Sequence, residues 1–174
     1  ERIGKIDVSE ADYMQLIDRK TACLFTVCAK LGAHAAGADE ATELRLGEFA
    51  WNLGIAFQLV DDVLDFTARE SVLGKPVGGD LREGKVTLPL IYALESATVA
   101  ERANVAQVLS ARSYDDVPFS SILQMVERRK GVARVRERAE EFTSKARQII
   151  AEFPDNASQR ALSAVTDLVI DRDR

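Results

Sequence analysis

The segment WNLGIAFQLVDDVLD, residues 51–65, gives the strongest structural signal in this sequence. Its apolar residues fall on every side of a helix, and a helix that is apolar all round is normally buried. The same segment carries three aspartates and one glutamine. The sequence therefore predicts a buried helix with polar side chains inside it, and it predicts that Trp51, the only tryptophan, packs between helices.

The polar residues share one side of this predicted helix. At about 3.6 residues per turn, four positions lie within about 60° of one another: Gly54, Gln58, Asp61 and Asp65. Aspartates four residues apart repel each other by roughly 0.2–0.5 kcal/mol on an exposed helix, and by more where water is scarce. We therefore expect a cation beside them, and hard oxygen ligands suit Mg²⁺. The alternative is a solvated helix end with three ordinary acidic residues.

Helical spacing of apolar residues continues along nearly the whole chain. It predicts helices at 9–31, 39–66, 87–111, 118–130, 132–153 and 156–170. No alternating strand pattern occurs, and the largest Gly-rich interruption is residues 74–84. We predict an all-α fold and, from a length of 174 residues, one unit spanning 1–174.

Lys20 interrupts the apolar stripe of the first predicted helix. The stripe consists of Tyr13, Ile17, Leu24, Val27 and Leu31. An ammonium group is costly on a stripe that faces a core unless it is paired or reaches water along its own stem. We interpret Lys20 as a functional cation, with the hydroxyl of Thr21 beside it. The alternative is a lysine whose ammonium simply reaches solvent.

A basic, glycine-rich loop follows the aspartate helix. The segment GKPVGGDLREGK, residues 74–85, contains Lys75, Arg82 and Lys85. Glycines let backbone N–H groups approach an anion closely, and lysines supply point charges for phosphate. The loop matches neither GxxxxGK[ST] nor GxGxxG, and its acidic residues do not alternate as in a calcium-binding hand. The pattern favours Mg²⁺ bridging to a polyphosphate, and the alternative is a mobile surface linker.

The charge balance argues against nucleic-acid binding. There are 23 Lys and Arg against 28 Asp and Glu, a formal charge of -5, so a phosphate backbone would repel the chain as a whole. The basic segment 127–138 is interleaved with glutamates. We interpret that segment as a solvated helix face.

Cysteine usage and hydropathy indicate the compartment. Cys23 and Cys28 are five residues apart in a predicted helix, where their side chains do not face each other, so we expect no internal disulfide and a reducing environment. No apolar run approaches the roughly 18–20 residues of a membrane span, and we expect no signal peptide, because no basic-then-apolar pattern occurs in the sequence. The expected location is the cytosol, without a transmembrane segment.

Three blocks of the sequence carry a family resemblance. KTACLF (20–25), GIAFQLVDDVLDF (54–66) and LGKPVGGDLREGKVTLPLIYAL (73–94) resemble, in order and spacing, the C-terminal half of a trans-isoprenyl diphosphate synthase. The third block is most similar to bacterial enzymes that make long polyprenyl chains. The resemblance covers essentially the whole chain.

The resemblance implies the C-terminal portion of an antiparallel helical bundle of the isoprenoid synthase type, usually in a homodimer. It implies Mg²⁺-dependent condensation of isopentenyl diphosphate with an allylic diphosphate. It also implies a role for each matching residue: Asp61 as a direct Mg²⁺ ligand, Asp62 and Asp65 acting partly through water, Lys20, Lys75 and Lys85 on the allylic diphosphate, and Thr21 and Gln58 at the developing carbocation.

One family feature is absent from these 174 residues. The first DDxxD motif, with its following Arg-Arg, has no counterpart, and Asp115 and Asp116 do not supply it because Phe119 stands at the fifth motif position. We therefore expect a C-terminal portion that is inactive alone and that associates as a homodimer or with the N-terminal part.

Two other interpretations stay open. A terpene synthase of the same fold would ionise and cyclise a prenyl diphosphate, but such enzymes typically carry an Asn/Ser/Glu metal motif where this chain has DDVLD. A non-catalytic helical subunit of a hetero-oligomeric prenyl synthase would also explain a chain that carries one aspartate-rich motif.

Overall fold

The computed structural model describes residues 3–67 and 77–171, and these ranges are helical, with no β-strand. This confirms the all-α prediction. The helices, in chain order, are α1 Glu10–Ile17, α2 Cys23–Ala35, α3 Glu40–Thr67, α4 Gly79–Arg82, α5 Leu88–Leu94, α6 Val99–Ala111, α7 Phe119–Arg128, α8 Gly131–Ile150 and α9 Ala157–Asp171. None of the described helices combines the length and apolar character needed to cross a membrane.

The chain groups into two compact units. The first contains residues 1–13 and 61–136, and the second contains residues 14–60 and 137–174. Helix α3 passes from the second unit into the first after Val60. Two thirds of the segment 51–65, residues 51–60, therefore belong to the second unit, and the three aspartates belong to the first.

The first predicted helix, 9–31, contains a π-helical turn at Asp18–Ala22, between α1 and α2. The N–H of Cys23 bonds back to the carbonyl of Asp18, five residues earlier. Because this turn contains one extra residue, the buried residue that follows Ile17 is Ala22. The two are five positions apart, whereas a regular α-helix would space them by three or four.

The π turn explains a wrong prediction about the apolar stripe. Leu24, Val27 and Leu31 were expected to continue the core-facing stripe, but their side chains are 63%, 50% and 62% exposed. Lys20 is exposed as well, so it does not lie on a core-facing stripe. The expected stripe rests on a regular α-helical period. One inserted residue rotates every later position about the helix axis by about 100°, so the stripe does not continue past the π turn.

The predicted helix 87–111 is two helices, α5 and α6. Thr98 ends the break with a capping box, in which its hydroxyl accepts from the N–H of Glu101 at 3.2 Å and the Glu101 carboxylate accepts from the N–H of Thr98 at 2.6 Å. These bonds, together with Arg129 and Arg128, lower the pKa of Glu101 to about 2 against the opposing effect of desolvation. The Thr-x-x-Glu pattern signals the start of a helix at Thr98, and the spacing of apolar residues alone does not reveal this start.

Helix α5 forms the centre of the first unit, because every residue from Leu88 to Leu94 is buried. Helix α8 begins directly against it. A Cβ atom on Gly131 would overlap the backbone carbonyl oxygen of Pro89. Because residue 131 has no side chain, the start of α8 can pack directly against the backbone of α5.

In the second unit, aromatic and ionic contacts join α3 to α8 and its following turn. The Trp51 and Phe142 rings meet edge to face at 5.7 Å, which confirms that Trp51 packs between helices. The guanidinium of Arg45 forms two hydrogen bonds to the carboxylate of Glu152. Such surface ion pairs contribute little, so aromatic packing is the larger stabilising contact.

We predict that Gly131→Ala lowers the free energy of unfolding by about 1–3 kcal/mol, because a methyl group must displace backbone. Gly32→Ala is the control, since a Cβ there meets nothing within 4 Å in a helix. The control should be neutral or stabilising by up to about 1 kcal/mol. Urea unfolding measures both, and equal effects of the two variants would contradict the packing described here.

Candidate active site

Three aspartates lie at the C-terminal end of α3 and differ in exposure. Asp62 and Asp65 are buried, with 3% and 2% of their surfaces exposed, whereas Asp61 is half-buried. A buried carboxylate requires hydrogen-bond donors to compensate for the water it has lost. The three aspartates of the DDVLD motif therefore differ in how accessible they are to a ligand.

Asp62 is held by a tyrosine from the beginning of the chain. The hydroxyl of Tyr13, on α1, donates to Asp62 Oδ2 at 2.5 Å in a buried setting. Burial, followed by the negative charge and hydrogen bond of Asp62, raises the pKa of Tyr13 well above its ordinary value. The phenol therefore keeps its proton and remains a donor to this carboxylate.

Asp65 holds the loop that follows the aspartate helix. Its two carboxylate oxygens accept from the N–H groups of Gly79 and Asp80, at 3.1 and 3.2 Å, and its carbonyl accepts from the N–H of Gly78 at 2.8 Å. These N–H groups begin the short helix α4, where a negative charge is favourable. The side chain of Asp65 therefore ties the start of α4 to the end of α3.

Gly78 is required at the point where the loop returns. Its φ of +71° is a left-handed conformation, and a Cβ there would lie 2.5 Å from the Phe119 ring and 2.7 Å from the Tyr114 hydroxyl. That hydroxyl donates to the Gly78 carbonyl at 2.6 Å. Burial raises the pKa of Tyr114, with a further contribution from the charge of Asp65.

Lys85 lies at the end of the loop with its ammonium between two carboxylates. Lys85 Nζ donates to Glu83 at 2.5 Å and to Asp80 at 3.2 Å. The bond to Glu83, opposed by desolvation and assisted by Asp80, raises the pKa of Lys85. The side chain is therefore a permanent cation on the exposed side of the loop. Lys75, the other predicted lysine of this loop, lies outside the described residues.

The predicted residues Thr21 and Gln58 meet in the second unit. Thr21 Oγ1 donates to Gln58 Oε1 at 3.1 Å, and Gln58 is buried while Thr21 is half-buried. Lys20, the residue before Thr21, is exposed. The structure thus brings the side chains of Thr21 and Gln58 within hydrogen-bond distance.

The aspartates could supply part of a set of metal ligands. In residues 3–67 and 77–171, no three His, Cys, Asp or Glu side chains converge as a metal-binding group. The carboxylates of Asp62 and Asp65 are directed toward Tyr13 and the loop N–H groups. The more accessible Asp61 is suited to direct coordination. Mg²⁺ commonly takes one or two carboxylates and completes its shell with water and phosphate oxygens, so this donor set fits it.

Three residues of this region were missed by sequence reasoning: Tyr13, Asp80 and Tyr114. Tyr13 had been assigned to an apolar stripe, and its partner Asp62 is 49 positions away, so no local pattern signals the bond. Asp80 was visible as an acidic residue inside a basic loop, directly after two glycines. In the structure, the Asp80 carboxylate accepts a hydrogen bond from Lys85 Nζ.

Comparison with known proteins identifies similar chains. The family model described as polyprenyl synthetase matches residues 2–126. The octaprenyl diphosphate synthase of Haemophilus influenzae is 37% identical over 166 residues, covering 95% of this chain and 50% of that protein. The "heptaprenyl diphosphate synthase component 2" of Bacillus subtilis is 34% identical, covering 90% of this chain and 44% of that protein. The chain thus spans about half the length of the curated relatives it matches.

Solved structures share the fold. A polyprenyl synthase from Caulobacter crescentus, crystallised with calcium and isoprenyl diphosphate, superposes with a TM-score of 0.91 at 32% identity, over 99% of this chain and 53% of that one. A decaprenyl diphosphate synthase from Rhodobacter capsulatus superposes with a TM-score of 0.89 at 32% identity, over 99% and 53%. The isoprenoid synthase type of helical fold is confirmed.

We predict that Tyr13→Phe lowers the free energy of unfolding at pH 7 by about 1.5–3 kcal/mol, because it removes a buried hydrogen bond to a charged acceptor. Tyr114→Phe loses a bond to a neutral carbonyl and should cost only about 0.5–1.5 kcal/mol. Urea unfolding measures both. A cost for Tyr13→Phe no greater than that for Tyr114→Phe would contradict the role given to Asp62.

The raised pKa of Tyr13 also predicts a pH dependence. The folded chain holds the phenolic proton more tightly than the unfolded chain does, so this stabilisation is complete below the ordinary pKa of 10.0 and is lost as the pH rises beyond it. The parent should therefore lose stability above pH 10 more steeply than Tyr13→Phe. Parallel curves for the two proteins would refute the assignment.

Proposed function

This chain belongs to the polyprenyl synthetase family, and we propose on that basis that it contributes half of a Mg²⁺-dependent prenyltransferase site. The reaction proposed is the condensation of isopentenyl diphosphate with an allylic diphosphate, which lengthens a polyprenyl chain by one five-carbon unit. The substrates are therefore the two diphosphates. Family membership accounts for the fold of the chain. The proposed chemistry is supported by the contacts of the aspartates, of Lys85 and of Thr21.

One observation carries the proposal: the Asp65 carboxylate joins the end of α3 to the start of α4, the short segment that leads to Lys85. Its bonds to the N–H groups of Gly79 and Asp80 place the start of α4 against the end of α3. Lys85 leaves the same short segment and is bonded to Asp80. Carboxylates for a metal ion and an ammonium for phosphate therefore belong to one hydrogen-bonded structure within the first unit.

The proposed metal-binding roles differ among the three aspartates. Asp61, which is half-buried, is proposed as the direct Mg²⁺ ligand. Asp62 and Asp65 are proposed to act partly through water, because both are buried and their carboxylates are oriented by hydrogen bonds within the protein. Mg²⁺, when bound, offsets the negative charge that grows on the diphosphate as its C–O bond breaks.

The lysines are proposed to hold the allylic diphosphate. Lys85 remains protonated because of its acidic neighbours, and Lys20 is exposed, so both present an ammonium to solvent. A diphosphate can replace Glu83 or Asp80 as the acceptor of the Lys85 N–H groups, since it carries more charge than either carboxylate. Lys75 is assigned the same role from the family resemblance alone.

Thr21 and Gln58 are proposed to face the developing carbocation. The Thr21 proton is committed to Gln58 Oε1, so the lone pairs of the hydroxyl oxygen are directed elsewhere. An oxygen oriented in this way stabilises positive charge without taking part in a covalent step. The double bond of isopentenyl diphosphate then adds to the cation, and the released diphosphate accepts the proton that is lost.

A relative's name supports a second candidate for the assembly. The Bacillus subtilis protein is called component 2 of a heptaprenyl diphosphate synthase. This favours a hetero-oligomer, in which the chain works with a separate subunit, as the alternative to a homodimer. In both cases we propose that the first aspartate-rich motif comes from outside these 174 residues.

We predict that Mg²⁺ together with methylenediphosphonate raises the melting temperature of the chain. At a ligand concentration of 100 times Kd the stabilisation is about 2.7 kcal/mol, or roughly 5–10 °C for a protein of this size. Asp61→Ala and Lys85→Ala should abolish most of the shift, because they remove the metal ligand and a phosphate contact.

Asp116→Ala is the matched control, because Asp116 is exposed and bonds to Gln107. Its melting shift should equal that of the parent. Absence of any shift in the parent, or a full shift in Asp61→Ala, would refute ligand binding at the aspartates. Differential scanning fluorimetry with and without Mg²⁺ measures all four proteins.

We also predict that the 174-residue chain alone does not condense isopentenyl diphosphate with an allylic primer. The reason is that these residues contain one aspartate-rich motif, whereas the resemblance implies two. Incorporation of radiolabelled isopentenyl diphosphate into an extractable product measures the activity. Product formation by the purified chain would overturn this prediction.

A further inference from the structure

The π turn at Asp18–Ala22 carries Lys20 and Thr21, and it is an uncommon backbone conformation. π-helical residues are well under 1% of those in proteins, and they persist where the surroundings favour them over a regular α-helix. Three positions on α3 make the contacts that favour this one: residues 51, 54 and 58. Steps of three and four place them on one face of α3.

Trp51 holds the first residue of the turn. Its indole Nε1–H donates to Asp18 Oδ1 at 2.7 Å. The ring itself is packed edge to face against Phe142 of α8. Because the ring is fixed by packing, its N–H has a defined direction, and the side chain of Asp18 must meet it.

Gly54 determines where the last residue of the turn lies. A Cβ atom at residue 54 would lie 2.9 Å from the Cα of Ala22 and 3.2 Å from Cγ of Phe25. Ala22 is fully buried in this contact. Backbone therefore packs against backbone at Ala22, and this close approach requires small residues on both helices.

Side-chain donors satisfy carbonyl groups near the wide turn. The thiol of Cys23 donates to the carbonyl of Arg19 at 3.0 Å, and the hydroxyl of Thr26 donates to the carbonyl of Ala22 at 2.9 Å. A widened turn weakens the regular ladder of backbone hydrogen bonds, so such donors lower its cost. The local sequence thus tolerates the turn, but the contacts with α3 select it.

We propose that Trp51 and Asp18 are positioning residues for Lys20 and Thr21. With Asp18 held at one end of the turn and Ala22 at the other, Lys20 and Thr21, which lie between them, have one backbone arrangement. Return to a regular α-helix would rotate them by up to about 100° relative to one end of the turn. The inference rests on the proposed function for the ligand, a diphosphate, but its backbone part does not depend on that function.

Three single variants test the bond between the two residues. Trp51→Phe keeps an aromatic ring against Phe142 but has no N–H. Asp18→Ala removes the acceptor, whereas Asp18→Asn keeps a carbonyl oxygen that can accept from the indole. We expect Trp51→Phe and Asp18→Ala to behave alike, and Asp18→Asn to restore parental behaviour.

The first measurement is amide hydrogen exchange, which needs no ligand. Loss of one hydrogen bond should accelerate exchange in residues 18–26 by about fivefold in Trp51→Phe and Asp18→Ala. Amides of residues 157–168, in the same unit, should keep their parental rates. Unchanged exchange in residues 18–26, or equal acceleration in both segments, would overturn the positioning role.

The second measurement is the affinity for methylenediphosphonate with Mg²⁺, by calorimetry, in the parent and in a Lys20→Ala background. Trp51→Phe should weaken binding by about fivefold in the parent and by less than about twofold in Lys20→Ala, because the positioned lysine is then absent. The same weakening in both backgrounds would refute action through Lys20. If the parent binds no diphosphonate, the proposed function fails, while the exchange data still decide the backbone claim.

Discussion

The structure depends on the requirement that buried carboxylates keep hydrogen-bond donors. Asp62 and Asp65 lie at the end of a helix whose other faces are apolar, and water reaches neither of them freely. Tyr13 supplies one donor, and the N–H groups of Gly79 and Asp80 supply two more. Through these bonds the aspartate helix determines where the start of α1 and the start of α4 lie within the first unit.

The same helix meets a different requirement in the second unit. There α3 approaches the π turn so closely that Gly54 has no room for a side chain, and Trp51 and Gln58, on the same face, bond to Asp18 and Thr21. One helix therefore arranges two sets of polar residues by different means. Charge compensation places the aspartates, and backbone packing together with two hydrogen bonds places the π turn.

Much of this arrangement could be predicted from the sequence. Long amphipathic periods located α3, α7, α8 and α9 to within a few residues, and the Asp, Lys and Gly blocks indicated where the chemistry lies. Two helices were predicted incorrectly, for physical reasons. The π turn inserts one residue into a regular period, and the Thr98 capping box ends a helix break that apolar spacing does not reveal.

The sequence by itself determined the helical class, the family, and the chemical types of the proposed ligands, because these depend on periodicity and on short motifs. The tertiary structure decided which of several identical residue types are buried, and which groups they bond to. In DDVLD it distinguishes the half-buried Asp61 from Asp62 and Asp65, and it exposes Lys20 instead of burying it. The physical reason is that the partners of these side chains lie 14 to 49 positions away, so that only folding brings them within hydrogen-bond distance.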